Sequence, residues 1–164
     1  TRAKINRGTF YAHYQDKYDL MAKCQDEMML EMSKLAKQDL QNFLVSATKN
    51  TIIPFPLAVT IFEYLDKNSG FMKAVLGPKG DLSFQIRLKD FIWKTMFEDE
   101  DSFFIDQEDL KVPKEYLAAY IVSAHIGVIQ QWLGNDGEES PLEMARILTT
   151  LTIDGPFLAA GFKK

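Results

Sequence analysis

Ile5-Asn6-Arg7-Gly8-Thr9-Phe10-Tyr11-Ala12-His13-Tyr14-Gln15-Asp16-Lys17-Tyr18-Asp19-Leu20 places two helix starts within residues 5–20. The side chain of Asn6 can accept a hydrogen bond from a free amide of a first helical turn, so it predicts a short helix running to about Tyr14. At helical spacing Ile5, Phe10 and Tyr14 share one buried side, leaving Arg7, Thr9, Tyr11 and His13 to face outward. Asp16 then predicts the cap of a second, much longer helix with Asp19 at its third position. Its apolar stripe, Leu20, Met21, Cys24, Met28, Leu35 and Leu40, continues without a proline to about Leu44. Such a helix can join the N-terminal segment to the rest of the chain and carry strain between them.

Working outward, the segment Thr51 to Pro56 holds two prolines and must break that helix. A helix from about Leu57 to Lys67 follows, with Leu57, Ile61, Phe62 and Leu65 inward, stopped by Asn68-Ser69-Gly70. A short helix around Phe71 to Leu76 ends at Gly77-Pro78, and Leu82 to Glu98 reads as another amphipathic helix. The acidic run from Glu98 to Asp109 has no helical pattern and reads as a solvated loop. From Lys114 to Leu133 apolar residues surround nearly the whole circumference, so one side must bury against the chain's own core and another against something else. Ala119, Ser123 and Gly127 form a row of small residues that lets a partner helix approach. Ser140-Pro141-Leu142-Glu143 combines a capping box with proline at the first helical position. The helix it starts carries Leu142, Ala145, Leu148, Leu151 and Thr152 along one side and should break at Gly155-Pro156. Strand signals are weak throughout, and the fold reads as all-α.

Bulk composition narrows the function classes. Hydrophobic residues at 46% and charged residues at 26% describe a folded globular chain, and its length of 164 allows one compact domain or a small head on a larger body. Twelve phenylalanines imply a core of bulky side chains with room for an apolar cavity. Residues 1–23 hold five basic against two acidic residues, a local charge of +3, which leaves −7 on the remainder of a chain whose total is −4. A basic head on an acidic body directs the head toward a polyanion. No stretch is long and apolar enough to span a bilayer, and the single cysteine, Cys24, excludes an intramolecular disulfide. A cytoplasmic protein with no membrane partner and no cofactor is expected. An enzyme is not: two histidines, one cysteine, no glycine-rich phosphate loop and no nucleophile elbow provide no constellation for holding a reacting group.

The pattern Ile-x-x-Gly-Thr-Phe-Tyr-x-His-Tyr-x-x-Lys-x-x-Leu, met at Ile5 to Leu20, closely resembles the recognition helix and following turn of the TetR family of helix-turn-helix transcriptional regulators. The remainder agrees with that family in helix order and in its C-terminal two-helix hairpin. The resemblance implies a TetR-like fold in which residues 1–16 are the end of an incomplete DNA-binding head, since the family has two more helices before this point. Residues 17–164 would be the linker helix and the dimerisation and effector-binding body. It further implies that Arg7 and Thr9 lie closest to base edges, with Tyr11, His13 and Lys17 on phosphates. Gly8 and Thr9 are short enough for entry into a major groove about 12 Å wide.

In such a regulator two subunits pair through the hairpin into a dimeric four-helix bundle, with Ala119, Ser123, Gly127, Gln130, Leu148, Leu151 and Thr152 expected at the contact. Phe62, Phe84, Phe91, Met96, Tyr120, His125 and Trp132 are the candidate lining of an effector pocket. The function implied is a repressor released from palindromic duplex DNA by an effector in the body. The Trp132-Leu133-Gly134 ending before Ser140-Pro141-Leu142-Glu143 also resembles a Gram-positive subgroup related to regulators of dihydroxyacetone kinase. That likeness implies an alternative, an adaptor or co-activator whose body binds a partner protein instead of a small molecule.

Overall fold

The computed structural model describes residues 6–46, 54–78, 80–97 and 110–162, with side chains placed except at 39–46, 54–55 and 95–97. These residues form α1 (Arg7–His13), α2 (Lys17–Ser46), α3 (Pro54–Lys67), α4 (Ser69–Leu76), α5 (Leu82–Phe97), α6 (Lys114–Gly134), α7 (Pro141–Ile153) and α8 (Gly155–Ala159). No strand occurs among them, so the all-α expectation holds. The acidic run Glu98 to Asp109 lies outside the described residues.

The helix starts use the expected caps. Asn6 Oδ1 accepts from the Thr9 amide at 2.8 Å. Asp16 Oδ1 accepts from the amides of Tyr18 and Asp19 at 2.8 and 2.9 Å, while the Asp19 carboxylate accepts from the Gln15 amide at 2.9 Å. Each bond satisfies an amide that a helix start otherwise leaves without an acceptor. At α7 the capping box is complete: Ser140 Oγ accepts from the Glu143 amide, and the Glu143 carboxylate accepts from the Ser140 amide at 2.8 Å. Pro54 and Pro56 open α3 instead of preceding it, because first-turn positions have no intrahelical acceptor for an amide proton to lose. Gly155, at φ 81°, and Pro156 split α8 from α7.

The core forms where α3 packs against α7 and α2 while α4 and α5 close on α6. Phe62, Leu65, Met72, Leu76, Phe84 and Leu88 are among its fully buried members. Phe62 meets Trp132 edge to face at 5.2 Å, and the indole donates to the Glu139 carbonyl at 2.9 Å, so this buried ring leaves no polar atom unpaired. Between α4 and α5 the chain turns so tightly that a Cβ on Gly80 would stand 2.2 Å from the Val75 carbonyl oxygen, and only glycine fits.

The buried row of α2 is Gln25, Met28, Met32 and Ala36, rotated from the expected stripe. Met21 is exposed, and Leu20, Cys24 and Leu35 are half-buried. The rotation follows from Gln25, a polar residue only 3% exposed. Its amide nitrogen donates to Asp81 at 2.9 Å, and Arg87 donates to its oxygen at 3.4 Å while pairing with Asp26. Hydrogen bonding at both ends makes a buried glutamine tolerable, and it fastens α2 to the start of α5. The Ser83 hydroxyl, followed by Gln25, holds the Asp81 carboxyl down to about 2.

Candidate functional site

Three features of the surface and interior bear on function. The first is the outer row of α1 together with Lys17 at the start of α2. Arg7, Gly8, Thr9, Tyr11, His13 and Lys17 are all exposed, Tyr11 at 66%. Phe10 and Tyr14 are half-buried on the opposite side, their rings 5.5 Å apart. A seven-residue helix is unstable alone in water, and a clamp from α2 supports it. Lys23 Nζ donates to the His13 carbonyl at 3.0 Å and to Asp19 at 3.1 Å, and lies 5.2 Å from the centre of the Tyr14 ring. The Thr9 hydroxyl donates to Asn6 at 3.2 Å, leaving its lone pairs and methyl group outward.

The second is a cavity of about 170 Å³ inside the body. Met32 and Ala36 of α2, Ile61, Phe62 and Leu65 of α3, Leu88 and Phe91 of α5, and Ile129 of α6 give it an apolar wall. His125, Thr149 and Thr152 are its polar wall residues. His125 Nδ1 lies 2.7 Å from the Ile121 carbonyl oxygen. Burial pushes the imidazole below its usual range, outweighing the opposite pull of that carbonyl.

Of the residues expected to line a pocket, Phe62, Phe91 and His125 do so. Phe84 and Trp132 are packed into the solid core and do not line this cavity. Tyr120 is 58% exposed and belongs to the outer side of α6, because that helix turns its Val122, Ile126 and Ile129 row inward. Met96 lies in α5, with its side chain outside the description. Met32, Ala36 and Thr149 are among the lining residues that were not expected there. Thr149 could have been found, since Ala145, Leu148, Thr149 and Thr152 recur at helical spacing with buried Ala145 among them.

The third is the outer face of α6, α7 and α8, where Tyr116, Tyr120, Ile147, Ile153 and Phe157 are exposed together with Ala119, Ser123 and Gly127. Leu148 and Thr152, expected at a subunit contact, are half-buried and line the cavity. Gln130 also turns inward, donating to the Leu76 carbonyl at 2.9 Å, and Leu151 is half-buried. The exposed row of α7 is Ile147, Thr150 and Ile153, because α3 covers the neighbouring side of the helix.

His125 gives a pH-dependent stability. An unfolded imidazole takes up a proton near 6.5, and the native one does so only at lower pH. In the window below 6.5 the unfolded chain therefore binds more protons, so stability is retained above that pH and falls as pH drops through it. His125→Leu is expected to remove this part of the slope. Urea midpoints measured above and below pH 6.5 for both proteins check it, and identical slopes refute it.

Among the described residues no group of His, Cys, Asp and Glu side chains could hold a metal ion, and no helix is long and apolar enough to cross a membrane. Comparison with curated proteins and with solved structures gives no match. The TetR-type family described as a transcriptional regulator C-terminal region matches residues 53–154, which spans α3 to α7. That match covers more than half of the chain and agrees with its all-helical architecture, so the chain belongs to the TetR family of transcriptional regulators.

Proposed function

We propose that this chain is the body and recognition helix of a dimeric, cytoplasmic TetR-type repressor, released from duplex DNA by a small molecule bound in the cavity of the body. One observation carries the reading: α2, which begins at the turn after α1, is itself a wall of the cavity through Met32 and Ala36. An occupant that presses on that wall shifts the helix to which α1 is clamped, and with it the spacing of two recognition helices in a dimer. The leverage available is the ligand's difference in affinity between the two spacings. Residues 1–16 then act as the end of the head and 17–164 as linker and body. An interior cavity of this size favours a small-molecule effector over the adaptor reading, in which a partner protein would dock on the body. A pull-down that recovers a stoichiometric protein partner and no bound small molecule would reverse that preference.

Selection of duplex DNA by the intact protein tests the operator-binding part. The expected product is an inverted repeat with half-sites about 34–36 Å apart, one turn of the duplex. Arg7→Ala is expected to cost about 1–3 kcal/mol and to relax preference at one base position. Lys17→Ala is expected to weaken all sequences alike and to reduce the salt slope by about one phosphate contact. Recovery of no symmetric sequence, or an unchanged affinity in both variants, refutes this assignment of α1.

A further inference from the structure

Two polar residues on the cavity wall hold hydrogen-bonding capacity that the described residues leave unused. Thr149 Oγ1 is buried and has no hydrogen-bond partner. Buried hydroxyls are nearly always paired, so an unpaired one on a cavity wall marks where a ligand atom gains most. His125 supplies the complement. The Ile121 carbonyl oxygen, 2.7 Å from Nδ1, can only accept, so Nδ1 carries the proton and Nε2 of the neutral ring is an acceptor. The third polar wall residue is already engaged, since the Thr152 hydroxyl donates to the Leu148 carbonyl at 2.7 Å. The lining residues thus include an imidazole with one acceptor nitrogen and a hydroxyl without a partner, and none of the described lining residues carries a formal charge.

We infer, resting on the cavity as the effector site, that its ligand is a neutral, largely apolar molecule of about one ring bearing a hydroxyl group. That hydroxyl donates to His125 Nε2 and accepts from Thr149 Oγ1, using both free groups at once. A carboxylate would lose its hydration with no cation to meet it. A ketone could accept from Thr149 but has nothing to donate to His125. A hydrocarbon would leave both wall groups unpaired. The size follows from the volume: a dry cavity of roughly 150 Å³ takes a benzene-sized guest, and this one measures about 170 Å³.

Titration of the full chain with phenol, toluene and benzoate tests the inference, read by calorimetry and by ¹⁵N resonances of the two histidines. Phenol is expected to bind about tenfold tighter than toluene, with no saturable benzoate binding. The Nε2 resonance of His125 should move with phenol while that of His13 stays in place. The near-isosteric Thr149→Val, and separately His125→Phe, should bring phenol and toluene to within about twofold of each other while toluene affinity persists. Equal affinities in the unaltered chain, a preference for benzoate, or no binding of any probe overturns the assignment. Phenol that binds as described yet leaves the operator occupied sinks the release mechanism and supports the ligand class. DNA release by an anionic ligand bound in the cavity does the reverse.

Discussion

Phe62→Ala is expected to lower folding stability by about 3–5 kcal/mol, a large share of the roughly 5–15 kcal/mol that holds a domain of this kind together. Phe62 is fully buried on α3, the helix that packs against both α2 and α7. Truncation removes its apolar contacts, takes away the edge-to-face partner of Trp132, and opens a void beside an existing cavity. The rigid frame of helices cannot collapse far enough to refill it. Urea unfolding at matched protein concentration gives the number, with Tyr11→Ala, at a 66% exposed position, as a control expected to change stability by about 0.5 kcal/mol or less. A loss for Phe62→Ala no larger than that control would mean that α3 is not the centre of the core. The enlarged cavity should also admit bulkier hydroxylated guests than phenol.

In the proposed dimer, Gly127→Arg is expected to separate the subunits, raising the dissociation constant by at least about 100-fold, or roughly 2.7 kcal/mol. The substitution separates assembly from folding. A Cβ at Gly127 would meet nothing within 4 Å in the subunit, so the arginine has open space in the monomer. Leaving glycine also favours an isolated helix by up to about 1 kcal/mol. In a four-helix contact made by the outer faces of α6 and α7, the same side chain stands between closely approaching backbones and brings an unpaired charge. Sedimentation equilibrium distinguishes the outcomes. A Gly127→Arg protein that remains dimeric, with unchanged affinity, moves the contact away from this face.

Much of the helix order was legible because its signals are local. Asn6, Asp16 and Ser140 satisfy amides two or three residues away, and their geometry is fixed by the sequence around them. The same holds for the Gly155-Pro156 break and for the outward row of α1. Which side of a helix faces which neighbour was less legible. The α2 stripe was rotated by Gln25, whose partners are 56 and 62 residues away, and a glutamine reads as a surface residue until Asp81 and Arg87 are brought to it. On α7 the inward and outward rows differ by one position, so Leu148 and Thr152 line the cavity while Ile147 and Ile153, each one position away, are exposed. Tyr120 went outward for the same reason: α6 is apolar all round, and its periodicity alone could not say which arc the subunit covers.

By itself, then, the sequence determined where α1, α2, α6 and α7 begin and that α1 turns Arg7, Thr9, Tyr11 and His13 outward, because capping and helical spacing act over one or two turns, whereas the starts of α3 and α4 fell a few residues before their expected places. The tertiary structure alone decided that α2 forms a wall of the cavity and that Thr149 and His125 stand on that wall with unused hydrogen-bonding capacity. A cavity is the space left when helices distant in the chain meet at particular rotations. Burial energy depends on area and hardly distinguishes one apolar arc from its neighbour, so only the assembled packing selects among them.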